Sequence, residues 1–426
     1  MTERHLGRDG RVGLRETILH PAVAALALGL GSLILFGWNV TEPVTVYFDE
    51  THYVPAARAL LTHSQPVNIE HPLFAKTMMA AAMLLFGDNS LGWRMASVLF
   101  GAIAVMAMFW VSRLLFRDLK AAMLSALLLV CNQTLFIQAR IGMLEMPMVA
   151  GILLGAGCLL AARESECHRR GWEIAGAVAL GLACGSKWLA APYALCFVAL
   201  YLWDSWRRKN RDGAFLVDHL APDAIRLLVV IAVTYFATFW PAFFYDRSRL
   251  TFSHLIGFQF EMLRAQQAPL SPHPYQSAWW QWPLMLRPIW YLFAKDGDHY
   301  RAILLIGNPA VYWGGLGIMA AALTGWIKRR SANLNLTATM YVFSLAIWLL
   351  IPKHIGFFYY YNLSAIVLGL VIVSFLHAQG PRGIRVLGWF TALAAVIFVY
   401  FYPIISASPL PIDDTWTDWV WMSSWR

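Results

Sequence analysis

The sequence predicts an all-α integral membrane protein of about eleven transmembrane helices, and three observations carry that reading. Of its 426 residues, 59% are hydrophobic and only 13% charged, far from the roughly 25% charged of an ordinary soluble domain. Apolar runs of bilayer-spanning character recur from end to end; a hydrocarbon core of roughly 30 Å needs about 20 apolar residues wound as helix, so that every backbone group is paired. Basic residues, 33 against 24 acidic, collect between the runs on one side, as orientation signals do. This composition excludes a soluble enzyme. With no basic, aromatic-rich soluble domain to bind nucleic acid, the net charge of +9 points to an anionic leaflet or anionic ligands.

The first run, 22–38, follows Arg4, Arg8, Arg11 and Arg15 and lacks the small-residue cleavage site of a secretory signal, so it is expected to be a retained span. Ten more follow at 92–116, 121–137, 141–162, 172–190, 191–206, 226–244, 303–326, 336–351, 355–376 and 386–402. The run 72–86 is only 15 residues long and carries Lys76, which suits a short span or a helix lying at the interface. Charge parity decides for the interface. In that arrangement 20 of the 33 basic residues fall on the N-terminal side, in clusters such as Arg207/Arg208/Lys209/Arg211 and Lys328/Arg329/Arg330; an extra span throws most of them outward. The N-terminus is therefore expected in the cytoplasm and the C-terminus outside. Residues 1–426 form a single polytopic domain without internal repeats, with two substantial external segments, 39–91 and 245–301. The five cysteines lack metal-ligand spacing and read as small apolar residues.

The external segments hold the residues that can carry chemistry. Phe48-Asp49-Glu50-Thr51-His52-Tyr53 sets two carboxylates directly ahead of an amphipathic stretch, 53–61. Such acids serve as helix caps at the favourable end of the dipole. Alternatively, one faces a membrane-level cavity as a general base while its neighbour points elsewhere, because adjacent residues do not share a helix face. Lys76, in Glu70-His71-Pro72-Leu73-Phe74-Ala75-Lys76, reads by itself as a snorkelling anchor. Arg94 opens a span and shares an aqueous face with Asp49. In Ala139-Arg140-Ile141-Gly142-Met143-Leu144-Glu145, the final carboxylate lies nearly a turn inside an apolar run, a functional candidate with Arg140 as partner, or half of a structural pair with it. Lys187 is the only charge between Glu173 and Asp204, an isolation that favours anion binding. The second external segment carries His273-Pro274-Tyr275 and the tryptophan-rich stretch 279–290, in which Arg287 has no orientation role; its tryptophans suit an interfacial belt or a sugar face. Lys353-His354 and Tyr359-Tyr360-Tyr361 read as an interfacial cluster. Together Arg94, Arg140, Lys187 and Arg287 around Asp49, Glu50 and Glu145 make a site for an anion plus a base. There is no Gly-rich nucleotide loop and no Cys/His cluster.

From the first span to about Leu363 the chain resembles the protein O-mannosyltransferase family, glycosyltransferases of the class C membrane fold (GT-C) that use polyprenyl-phosphate mannose. The resemblance rests on Phe48-Asp49-Glu50, His71-Pro72 to Lys76, Arg94, Arg140 to Glu145, Ser186-Lys187-Trp188, and Trp282-Pro283-Leu284-Met285-Leu286-Arg287-Pro288-Ile289. It implies eleven spans with two interfacial helices in the first external loop. It also implies a mannosyl phosphate on a long polyprenol as donor, and a Ser or Thr hydroxyl of a translocated protein as acceptor. Asp49 would take the hydroxyl proton in an inverting displacement, with Glu50 beside it supporting the acceptor or the loop. Arg94, Lys187 and Arg287, with Arg140, would hold the donor phosphate, and His71, Lys76, Glu145, His273 and Tyr275 are further substrate-site candidates. The scheme requires no cofactor and no metal, although Asp49 and Glu50 are residue types that also hold divalent ions. Three departures stand out: His71-Pro72-Leu73 replaces the family's His-Pro-Pro, Glu145 stands where Asp is usual, and the second external segment is too short for a MIR domain. The last points to a bacterial member, in the inner membrane with its site facing the periplasm. Two other classes stay open. One is a related GT-C transferase that moves an aminosugar or pentose to lipid A or a surface glycan. The other is a transporter, disfavoured because the charged candidates gather near one face.

Overall fold

The computed structural model describes residues 20–209, 220–268, 271–324, 331–351 and 355–426. The expectations placed on Arg4 to Arg15, Arg211, Lys328 to Arg330, Lys353 and His354 lie outside the described residues. Helices α1 (Pro21–Gly37), α2 (Glu50–Leu61), α3 (Phe74–Phe86) and α4 (Ser90–Phe116) come first. They are followed by α5 (Leu119–Val130), α6 (Gln133–Gln138), α7 (Glu145–Glu164), α8 (Arg169–Ser186), α9 (Ala190–Lys209), α10 (Ala221–Ala237) and α11 (Leu255–Gln266). A hairpin of β1 (Ile289–Asp296) and β2 (His299–Leu305) leads into α12 (Pro309–Leu323), α13 (Ala332–Leu350), α14 (Asn362–His377), α15 (Gly380–Ile405) and β3 (Pro409–Leu410).

Each expected span overlaps a helix over most of its described length. Among the described residues, six segments are long and apolar enough by themselves to cross a membrane: Ser90–Phe116, Glu145–Glu164, Ala221–Phe244, Ala332–Leu350, Phe358–His377 and Gly380–Ile405. Their ends follow local chemistry. Asn89 accepts from the backbone N–H of Leu91 and Gly92 to start α4, Asp118 caps α5 through Lys120 and Ala121, and Asn308 with Pro309 at the first helical position starts α12. Helix α7 packs between α4 and α8, while α12, α13 and α15 surround α14. Four of the cysteines are buried or half-buried, and Cys167 is exposed.

Three features depart from the expected all-α picture. The β1–β2 hairpin at the end of the second external segment is joined by β3, from after α15, into a three-stranded antiparallel sheet ordered β1-β2-β3, so residues 303–305 of an expected span are strand and α12 begins at Pro309. Its tight turn needs the positive φ of Gly297 (+62°), which places a two-residue loop between Asp296 and His299. The run 121–137 is interrupted at Cys131 and Asn132, because the Asn132 side chain accepts from the Thr134 N–H and starts α6 as a separate helix. The second external segment also contains α11, which apolar-run length alone does not detect. The first external segment holds the two expected short helices, α2 and α3.

Candidate active site

Asp49 precedes the first residue of α2, yet its side chain makes no cap hydrogen bond, so the capping role open at the level of sequence is not the one it takes. Phe48, before it, holds a left-handed φ of +47°, an outlier for a bulky residue. Its ring is stacked on Tyr291 at a centroid distance of 3.8 Å and meets Tyr359 edge-on at 6.0 Å. Burial pushes the Asp49 carboxyl up to about 7, with Glu145 adding to the rise and Lys187 opposing it.

Glu50 is fully enclosed. Its carboxylate accepts Arg94 Nε at 2.8 Å and Arg94 Nη2 at 3.0 Å, the Gly142 N–H at 2.8 Å and the Tyr47 N–H at 3.3 Å. The close approach of Gly142 requires glycine, because a Cβ there would stand 2.9 Å from the Trp93 carbonyl and 3.5 Å from Glu50 Cγ. Arg94 spends its remaining N–H groups on the carbonyls of Val40, Pro43 and Thr45 at 2.8 to 3.0 Å. All five guanidinium donors are thereby used. Arg94 and Glu50 thus form a buried clamp between α4, the start of α2 and the 40–45 loop, which leaves Arg94 no donor for a phosphate and Glu50 no free lone pair for chemistry or for a divalent ion shared with Asp49.

Arg140 and Lys76 are fastened in the same manner. Arg140 donates to the carbonyls of Phe36, Trp38 and Asn39 at the end of α1, and to Ser406 after α15; carbonyls at a helix C-terminus are natural acceptors for an arginine. It makes no ion pair with Glu145. Lys76 is buried and donates to the carbonyls of Asn68 and His71, holding the 68–71 stretch against α3. Arg287 is exposed and, among the described residues, donates to the Pro274 carbonyl, while His273 packs edge-on against Phe357 at 5.2 Å and Tyr275 lies beside it.

Lys187 remains as the cation at the site. It ends α8, forms an ion pair with Glu145 Oε1 at the start of α7, and lies over the rings of Tyr359 at 5.3 Å and Tyr360 at 5.5 Å. Glu145 Oε2 is buried with no hydrogen-bond partner. The structure therefore brings Asp49, Glu145 and Lys187 within electrostatic reach of one another. Around them stand tyrosines that the sequence reading did not single out for chemistry: Tyr53 and Tyr291, whose hydroxyls feel both carboxylates, and Tyr359 and Tyr360. Gln138 Nε2 reaches the Tyr291 hydroxyl at 3.4 Å. Next to Tyr360, whose ring packs on Trp282 and Trp348, a cavity of about 440 Å³ is lined by Trp279, Trp282, Trp348, Ile351 and Ile355.

Residues 83–245 match the family model described as dolichyl-phosphate-mannose-protein mannosyltransferase, and residues 251–425 match the C-terminal four-transmembrane region of protein O-mannosyltransferase. A polyprenol-phosphate-mannose–protein mannosyltransferase of Mycolicibacterium smegmatis is 25% identical, with 98% of this chain and 94% of the relative covered. The S. cerevisiae protein O-mannosyltransferase Pmt1-Pmt2 complex bound to the sugar donor shares the fold at a TM-score of 0.77 and 14% identity, over 93% of this chain and 91% of that one. ArnT from Cupriavidus metallidurans in the apo state is similar at a TM-score of 0.56 and 17% identity, over 91% of this chain and 66% of its own.

Proposed function

The chain belongs to the protein O-mannosyltransferase family, and from that premise we propose that it moves mannose from a polyprenyl phosphate to Ser or Thr hydroxyls of proteins delivered across the membrane. The observation that carries the reading is the pairing of a carboxylate that makes no cap hydrogen bond, Asp49, with a cation within its electrostatic reach, Lys187, at one tyrosine-lined site.

In this reaction the acceptor hydroxyl oxygen attacks the anomeric carbon of the donor mannose, the bond from that carbon to the phosphate oxygen breaks, and the configuration inverts. Asp49 takes the hydroxyl proton; a carboxyl raised to about 7 is a stronger base than an ordinary aspartate and still ionises near neutrality. The leaving phosphate is a weak base and needs no acid. It gains negative charge as the bond breaks, and a cation fixed in advance at that point stabilises the transition state more than the ground state. Lys187 supplies this charge, and Glu145 with the Tyr359 and Tyr360 rings fixes its direction. The cavity beside Tyr360 joins the Trp279, Trp282 and Trp348 rings to the polar Gln276, Ser277 and Gln281, a mixed lining that suits the junction of the donor's head group with its polyprenyl chain. Mixing the purified protein with polyprenyl-phosphate mannose and a serine-containing peptide tests the reading: transfer to that peptide and not to its alanine counterpart is the expected result, and transfer to lipid or glycan acceptors alone would refute it.

The same reading places eleven spans in an inner membrane with N-terminus inside, α2 and α3 along the outer interface, and Asp49 on the periplasmic side. A reporter fused after Arg426 is expected to be active only when it works outside the cytoplasm. A fusion active only in the cytoplasm means an even number of crossings and removes α3 from the interface.

A further inference from the structure

A second external cavity, away from Tyr360, has no part in the mechanism above. Its volume is about 550 Å³, within the roughly 300–1,000 Å³ range of ligand sites. One wall is the stretch after α2, with Gln65, Pro66 and Ile69; the other is the stretch from Ser248 into α11, with Arg249 and Phe258. The walls are pinned together at both ends and held apart between them. At the outer end the Asp246 and Arg247 N–H groups donate to the carbonyls of His63 and Ser64 at 2.6 and 3.0 Å. At the other end Gln266 of α11 donates to the Glu70 carbonyl at 2.6 Å.

The Glu70 end adjoins the reaction site. His71 packs edge-on against Tyr53 at 6.0 Å, and Tyr53 lies one helical turn from Asp49, to whose carbonyl its N–H donates at 3.1 Å. The stretch forming the first wall also carries two buried acceptors without any protein donor, Asn68 Oδ1 and Glu70 Oε2. Buried polar atoms are nearly always satisfied, so two such acceptors on one short segment mark a place where donors arrive from outside. A polypeptide brings such donors in its backbone N–H groups and polar side chains. The lining alternates apolar surface (Pro66, Ile69, Phe258) with polar groups (Gln65, Arg249), as a site for several unlike side chains would.

We propose that this cavity is the acceptor subsite: it takes the extended polypeptide flanking the Ser or Thr whose hydroxyl is presented to Asp49. The inference rests on the protein-mannosyltransferase reading and adds the place where the acceptor is recognised. The Lys187 side receives the lipid-linked donor and the α2–α11 side receives the polypeptide, so that the two substrates approach the sugar from different directions.

The test uses the full-length enzyme, polyprenyl-phosphate mannose, and a serine peptide carrying a photoreactive phenylalanine analogue two residues from the serine. Gln65→Trp and Glu261→Trp fill the cavity from opposite exposed walls. Each is expected to raise the peptide KM tenfold or more with the donor KM unchanged, and irradiated wild-type enzyme should carry the peptide on residues 65–69 or 248–261. A wild-type enzyme that transfers mannose, with peptide KM unaltered in both variants and cross-links elsewhere, overturns the cavity assignment alone. A wild-type enzyme that transfers no mannose to any peptide overturns the functional reading beneath it.

Discussion

Asp49→Asn lowers turnover by roughly 100-fold or more, the usual scale for losing a positioned proton acceptor, while donor affinity and melting temperature stay at wild-type level. The substitution keeps the size of the side chain, and no cap hydrogen bond is at stake because Asp49 makes none. Steady-state kinetics with the serine peptide, alongside thermal unfolding in detergent, separate the two quantities. A variant that keeps most of its turnover, or loses stability in step with activity, shows Asp49 to be part of the scaffold.

Glu50→Gln has the opposite signature: the loss is in folding. Glu50 and Arg94 are both wholly inaccessible to solvent, and removing one charge of such a pair strands the other, at a cost of about 3–5 kcal/mol. Arg94→Met does the same from the other side. Because the two groups act as one unit, the double variant is expected to melt no lower than the worse single, a clear departure from additivity. Melting temperatures of the three variants check this. Should Glu50→Gln fold as well as wild type and be catalytically dead, Glu50 and not Asp49 is the reacting carboxylate.

These two neighbours show where reading the sequence succeeds and where it stops. The apolar helices were legible because hydrocarbon tolerates no unpaired backbone, which forces a long apolar run at every crossing. The adjacent acids could be read as caps or as a base with a neighbour pointing elsewhere, and their sequence did not tell which of the two would be enclosed by Arg94. The roles of Arg94, Arg140 and Lys187 were not separable, since each is an isolated cation at the end of an apolar run. What distinguishes them is their acceptors: Glu50 together with the backbone carbonyls of Val40, Pro43 and Thr45 for Arg94, the end of α1 for Arg140, and, among the described residues, one carboxylate with no backbone carbonyl beside it for Lys187. Backbone carbonyls carry no residue-type signal. Tyr359 and Tyr360 look like an interfacial belt in sequence, because a ring beneath an ammonium and a ring at a lipid headgroup have the same composition. The β1–β2 hairpin did leave a signal, Asp296-Gly297-Asp298 between apolar stretches, which was masked by the apolar run continuing into α12.

The pH dependence of kcat/KM for a peptide without titratable groups tests the central claim most directly. If Asp49 is the base, the wild-type rate climbs with pH through about 7 and then levels, because the ionised form accepts the proton and burial has raised that carboxyl. Glu145 pushes the Asp49 carboxyl up, and its pairing with Lys187 diverts a cation that pulls it down. Glu145→Gln is therefore predicted to move the midpoint to lower pH, whatever it does to the plateau. A profile flat from pH 5 to 9, or a midpoint that Glu145→Gln leaves in place or moves upward, would contradict the assignment of Asp49 as the proton acceptor.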